Sequence, residues 1–355
     1  MAKGSAGRAR TLTYRASGVD VAARAEAVRA LIEAARYRAP ASHGAPVAAS
    51  LGHYAGLLRL GSETIAVTTD TVGTKVLLAE QLGRWEEVGE DLVAANVNDL
   101  ASVGARAAGL VDTILYGTAS VATFRALGRG IRRGLARARC SLLGGETAQV
   151  GEIVRGIDLG GTAIGFFPRG RRPVLGERIR SGDVILGLRS DGFHANGYTL
   201  VRRLLDEQHV PLARRRPGAD LPLGRELLVP TRTYTPASEA LAEREGVHGF
   251  AHVSGGGVRN LLRLHDRVRF VLDRFPAPPG LFEWLGRLGR ISGEEMYQTF
   301  NMGVGFAVVL APSARRDALR RLARAGFSDA LEIGHVEAGR GVELPTLGIS
   351  YTGYA

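Results

Sequence analysis

The chain has 355 residues, 45 % of them apolar, a formal net charge of +11 and a single cysteine, Cys140. That length favours two hydrophobic cores over one. One cysteine excludes an internal disulfide framework and points to a reducing, cytoplasmic setting, and no apolar run is long enough to span a bilayer, so no membrane role is expected.

In chain order, residues 1–10 are small and basic and read as a disordered arm. Asp20 has the place of an N-cap for a helix over 21–38, with Val21, Val28, Leu31 and Ile32 as its apolar stripe. Strands are expected over 57–60 and 64–69, helices over 75–82 and 91–103, a strand over 110–115 and a helix over 121–138. A short strand at 141–143 feeds Gly144-Gly145-Glu146-Thr147, and a strand over 159–167 closes the first half. The basic, proline-containing stretch 168–180 is the linker candidate, dividing the chain into residues 1–168 and 169–355. Beyond it come a strand over 183–188, a glycine-flanked loop over 190–197 and helices over 198–205 and 237–245. Then follow a glycine run at 254–257 with a short helix to 264, strands over 268–272 and 304–310, a helix over 313–325 and a strand over 330–336. Strands and helices mixed in both halves predict two α/β (α+β) domains.

Arginine supplies almost all of the 46 basic residues and is spread along the chain, without a DNA or RNA recognition signature. No nucleic-acid partner is expected; a basic field suits anionic substrates. Lys3 and Lys75 are the only lysines. Lys75 closes Asp70-Thr71-Val72-Gly73-Thr74-Lys75 at a strand end before a helix, where backbone amides attract phosphate and Gly73 permits close approach. A capped helix with a surface lysine explains that segment about equally well. Asn96, Asn98 and Asp99 put polar groups into an otherwise apolar helix. Glu146 follows two glycines after a strand, and His194 and Asn196 lie in a glycine-flanked loop that should be exposed. Gly255, Gly256 and Gly257 can form an anion nest, or simply a loop. The P-loop and dinucleotide glycine motifs are both absent.

Together these clusters resemble the phosphoribosylaminoimidazole synthetase (AIR synthetase) family, in order and over nearly the whole chain. The resemblance runs through Tyr14 to Asp20, Asp70 to Lys75, Asp91 to Ala94 with Val97 to Leu100, and Gly144 to Ala148. It continues through His194 to Tyr198, Pro230 to Tyr234 and Ser254 to Gly257, and its most specific part is Glu295-Met-Tyr-Gln-Thr-Phe-Asn-Met-Gly-Val-Gly305. The chain departs from the family pattern at Thr71, at Phe193, at 149–153 and just after Gly257.

The resemblance implies ATP-dependent ring closure of formylglycinamidine ribonucleotide to aminoimidazole ribonucleotide, with ADP and phosphate released. It implies Mg²⁺ held by Asp70, Asp99 and Glu146, Lys75 stabilising transferred charge, and His194 assisting phosphoryl or proton transfer. Asp99 counts also among the catalytic residues. Gly52, Gly56, Asp70, Gly73, Thr74, Asn98, Gly145, Asn196, Gly255 and Gly256 would bind nucleotide or substrate. A homodimer pairing its N-terminal sheets is implied as well. Two alternatives stand beside this reading: another small-molecule phosphorylating enzyme of the same superfamily, or an inactive nucleotide- or RNA-binding regulator.

Overall fold

The computed structural model describes residues 17–18, 21–35, 37, 40–50 and 52–354. The basic arm and Asp20 lie outside the described residues. Helix α1 (Val21–Ala34) is shorter than expected, and Val28, Leu31 and Ile32 of its stripe are exposed, Leu31 at 67 % and Ile32 at 62 %.

The first domain holds β1 (Ala45–Pro46), β2 (Gly56–Leu60), β3 (Glu63–Thr71), α2 (Lys75–Leu82), α3 (Glu86–Ser102), β4 (Arg106–Tyr116), α4 (Val121–Ala138), β5 (Ser141–Gln149) and β6 (Ile157–Phe166). Among the described residues these strands form one six-stranded sheet, ordered β1-β2-β3-β6-β4-β5. Its pairings are antiparallel except for the parallel β4–β5 ladder at the edge. The period-two alternation of β6 explains how the sheet is used. Ile157, Leu159 and Ala163 are buried on the α3 side, whereas Asp158 and Phe166 on the opposite face are exposed. α4 covers α3 so closely that a Cβ on Gly130 would come within 2.0 Å of the Glu86 carbonyl oxygen, so glycine is obligatory at that crossing.

The second domain holds β7 (Val184–Arg189), α5 (Tyr198–Glu207), α6 (Leu223–Leu227), α7 (Thr235–Leu241), β8 (Val247–His252), β9 (Val268–Val271), α8 (Gly280–Gly289), α9 (Gly293–Thr299), β10 (Val304–Leu310), α10 (Arg315–Arg324), β11 (Leu331–Ala338), β12 (Gly341–Leu344) and β13 (Ile349–Tyr351). Its seven strands run in the order β13-β12-β9-β11-β7-β10-β8. β8 and β10 are buried at every residue.

Three expectations change. The strand expected to end at 143 runs on through Gly144 to Thr147, which form the middle of β5, because their backbone pairs with β4 from Val111 to Ile114. The segment from Glu294 forms α9, capped by the Ser292 side chain accepting from the Glu295 amide, and then enters β10. β8 was not anticipated, since His248, Gly249 and His252 disguise a strand that tertiary burial makes apolar in context.

The domains meet along α3, whose polar residues make the seam. Asn98 accepts from the Tyr234 amide at 2.8 Å and donates to the Arg232 carbonyl at 2.9 Å. Ser102 accepts from the His252 amide, and Ser238 donates to the Ala101 carbonyl. One helix buried between two sheets needs such partners, because each unmet polar group there would cost about 1–3 kcal/mol.

Candidate active site

β3 delivers Asp70 to the rim of the seam. The Asp70 amide donates to Asn96 Oδ1 at 3.0 Å, so the polar residue inside α3 fixes where the strand ends. The Thr71 amide donates back to Asp70 Oδ1 at 2.7 Å. Asp99, lower on α3, faces the same cavity, about 290 Å³ in volume, into which Asn196, Gly255 and Gly256 also open from the second domain. The cavity therefore gathers acidic groups from one domain and a glycine nest from the other.

Two arginines on that second wall, Arg259 and Arg263, were missed from the sequence, because arginine carries no contrast in a chain this rich in it. Arg263 lies between the rings of Tyr54 and Tyr354, 5.0 and 4.8 Å from their centres, and donates to the Tyr354 hydroxyl. The Tyr354 hydroxyl in turn donates to the Gly255 carbonyl at 2.9 Å. Arg263 and Tyr354 also form the shared wall of an adjoining cavity of about 340 Å³, where Gly52 lies. Gly56 opens β2 nearby, and Gly73, at φ 65°, makes the left-handed turn between β3 and α2.

Burial, together with the neighbouring Asp99 carboxylate, pushes the Asp70 carboxyl up to about 6. The all-oxygen character of this carboxylate pair fits Mg²⁺, which prefers one or two carboxylates plus phosphate oxygens and water.

Lys75 is placed elsewhere than expected. It is fully buried, pairs with Asp91 Oδ2 at 2.7 Å, and donates to the carbonyls of Val229 at 2.8 Å and His194 at 3.0 Å. Two of its protons go to carbonyls of the second domain and its charge faces Asp91, so the ammonium is committed to the seam. Asp91 Oδ1 accepts from the Thr231 amide and hydroxyl, so the same carboxylate ties both domains. Burial pulls the Lys75 pKa down and pushes that of Asp91 up, each opposed by the other's charge. Asn98 likewise belongs to the seam, and Thr74 Oγ1 lies 3.0 Å from Thr199 Oγ1 across it.

His194 is not on an exposed loop: it is 1 % exposed, at φ 64°, with both ring nitrogens buried and unpartnered. Burial and the nearby charges of His252, Lys75 and Arg232 hold its pKa well below the usual imidazole value. His252, also missed, lies 6.0 Å from it ring to ring and places Nδ1 3.0 Å from Asp99 Oδ1, leaving Nε2 buried without a partner.

Glu146 does not join Asp70 and Asp99 within one chain. Thr71, Gly160, Thr113 and Glu146 are aligned across β3, β6, β4 and β5, which puts Glu146 three strands from the site. At ~4.8 Å per strand that is roughly 14 Å. No group of three potential metal-ligating His, Cys, Asp or Glu residues occurs among the described residues. Gly145 shares the edge strand, where a Cβ would fall 2.2 Å from Asp112 Oδ1.

Comparison with known proteins decides the family. Residues 52–167 match the N-terminal domain, and 180–345 the C-terminal domain, described as AIR synthase related protein. The phosphoribosylformylglycinamidine cyclo-ligase of Methanosarcina barkeri is 41 % identical, over 84 % of this chain and 89 % of its own. The chain belongs to the AIR synthase family. The AIR synthase relative of the same name from Pyrococcus furiosus is 38 % identical over 96 % of this chain and 99 % of its own. Solved structures carry the same fold. AaThiL complexed with AMPPCP and TMP matches with a TM-score of 0.64 at 16 % identity, covering 92 % of this chain and 95 % of that one. Thiamine-monophosphate kinase from Stenotrophomonas maltophilia matches at 0.61 and 25 % identity, over 83 % of this chain and 90 % of that one.

Proposed function

We propose that this protein is an ATP-dependent cyclo-ligase that converts formylglycinamidine ribonucleotide to 5-aminoimidazole ribonucleotide in purine biosynthesis. The observation that carries the reading is the cavity between the domains, with Asp70 and Asp99 on one wall and Arg259, Arg263 and the Gly255–Gly256 nest on the other. A metal-triphosphate presents a cation to the first wall and anionic oxygens to the second. The full-length relatives named for this reaction support it.

The chemistry balances as follows. The formyl oxygen takes the γ-phosphoryl group of ATP, and ADP leaves. An amidine nitrogen then attacks the formyl carbon of the same molecule; the C–N bond forms, the C–O bond breaks, phosphate departs and a proton is released to water. Because closure is intramolecular, positioning and charge compensation supply most of the acceleration.

Asp70 and Asp99 would hold Mg²⁺, which neutralises and orients triphosphate oxygens when bound. Asn96 positions Asp70 through its backbone, and His252 orients Asp99. Asn196, Gly255 and Gly256 contact substrate or nucleotide, while Gly52, Gly56, Gly73 and Thr74 shape the approach. His194, beside His252 and without a ring partner, is the group for proton transfer if the seam opens toward the cavity during turnover. We assign Lys75 to domain docking instead of charge transfer, since its ammonium is already committed to the seam.

We place the protein in the cytoplasm as a homodimer. The uncovered face of the first sheet, where Phe166 and Leu143 are exposed, supports pairing with a second copy. Glu146 is exposed on the same β5 edge strand, so a partner's approach is what would give it a ligand to hold. The test is ADP and aminoimidazole formation by purified protein with Mg-ATP, with and without formylglycinamidine ribonucleotide. Substrate-dependent ADP matched one-to-one by aminoimidazole product is expected; ADP released equally without substrate would overturn the reading.

A further inference from the structure

A larger cavity, about 650 Å³, lies away from the Asp70 site, beneath the segment that joins the two domains. Five arginines line it: Arg169, Arg171, Arg172 and Arg178 from that segment, and Arg244 from the turn before β8. Three carboxylates share the wall, Glu177, Glu243 and Glu245, so the lining carries an excess of two positive charges (five minus three). His248 is already engaged, with Nδ1 2.7 Å from Asp183 Oδ2.

Arg171 is the unusual member. Its side chain is only 3 % exposed although the segment runs over the surface. Nη2 donates to Glu243, but Nε and Nη1 are buried with no hydrogen-bond partner among the described residues. Glu243 cannot supply more, because it is half exposed and also lies 3.9 Å from Arg106. Arg106 carries a second buried, unpartnered Nε. A guanidinium withdrawn from water with two donors unmet is costly. Chains avoid that expense unless something outside the chain meets the donors. An anion that offers several acceptor oxygens and balances about two charges would meet these donors and the excess charge of the lining. A phosphate dianion has all three properties, and arginine suits it better than lysine would.

We propose that this cavity binds a phosphate group, borne by a small ester or as the free anion, with Arg171 as the buried anchor and Arg169, Arg172 and Arg244 as the rim. The site touches both domains. The Val174 amide donates to the Val103 carbonyl just past α3, and Arg178 donates to the Val247 carbonyl at the start of β8. Asp99 and His252 sit on those same two elements, so a ligand here braces the junction that carries the carboxylate–imidazole pair.

Isothermal titration of the full chain with inorganic phosphate, in chloride buffer without nucleotide, tests the site. Wild type, Arg171→Met and Arg259→Met are compared, the last lying in the other cavity. The expected result is a class of sites that Arg171→Met weakens at least tenfold and Arg259→Met leaves in place. An unchanged isotherm for Arg171→Met overturns the proposal, as does disappearance of all phosphate binding in Arg259→Met. Methionine in place of an incompletely paired buried guanidinium should keep or raise Tm. Should that variant fail to fold, the rim variant Arg172→Ala/Arg244→Ala carries the same test, and unaltered affinity there overturns the site. Repeating the titration with AMP assigns the source: competition with phosphate at the Arg171 class identifies an ester ligand, and its absence identifies the free anion.

Discussion

α3 carries two carboxylates with opposite fates, Asp91 fully buried and Asp99 partly exposed beside Asp70 of β3. At Asp91 the chain supplies its own cation, Lys75, and its own donors from Thr231, and the result is a sealed joint between domains. At Asp70 and Asp99, the latter two turns further along, no ammonium or guanidinium among the described residues pairs with either carboxylate, and Arg259 and Arg263 line the same cavity of about 290 Å³. The difference teaches how to tell a structural charge from a functional one. A buried carboxylate already neutralised holds the protein together; one left beside a second carboxylate and pushed up to about 6 is the candidate for a ligand.

Exchanging the two behaviours by mutation should therefore fail in opposite directions. Lys75→Met leaves Asp91 buried without its counter-charge and should cost about 3–5 kcal/mol, read as a shift in the urea midpoint. Adding Asp91→Asn should recover most of that loss. If the single variant is as stable as wild type, the seam does not depend on the pair.

At the other carboxylates the loss is catalytic. Asp70→Asn should reduce turnover by about 10²–10³-fold while the metal-free protein unfolds no earlier than wild type. A variant that loses stability together with activity would place Asp70 in the same class as Asp91.

The sign of the pH dependence follows from the raised value. A carboxyl titrating near 6 in the fold and 3.8 unfolded favours the fold while protonated. Its contribution is present below about 4 and disappears as pH rises through 6, by an amount on the order of 2–3 kcal/mol. In EDTA, wild type should lose urea stability between pH 4 and 6 relative to Asp70→Asn, and Mg²⁺ at pH 7 should restore it. A pH-independent difference between the two proteins would remove the electrostatic account.

The smallest effect belongs to the neutral part of the seam. Asn98→Ala strands the Tyr234 amide and should cost about 1–3 kcal/mol, with KM for ATP unchanged. A change in KM alone would return Asn98 to the nucleotide site.

Much of the fold was legible because local pattern and tertiary context agreed. The helices at 75–82 and 121–138 and the strand at 304–310 begin and end where periodicity and capping place them. β8 was illegible because its alternating His, Gly and apolar residues owe their burial to α3 and β10, not to their own hydrophobicity. The acidic and glycine clusters stood out in the sequence as interruptions of apolar pattern, and in the fold Asp70 to Lys75 split. Its first residue faces the cavity and its last the seam, because the turn at Gly73 redirects the chain between them.

By itself the sequence determined the family, the elements whose periodicity is plain and the residues that interrupt apolar patterns, since periodicity and motif order are properties of the chain alone. Which interruptions hold the domains together and which are candidates for a ligand was decided only in three dimensions. A charge acquires its role from the sign and distance of what packs against it, and Lys75, Asp91, Asp70 and Asp99 meet their neighbours only after α3 is buried between the two sheets.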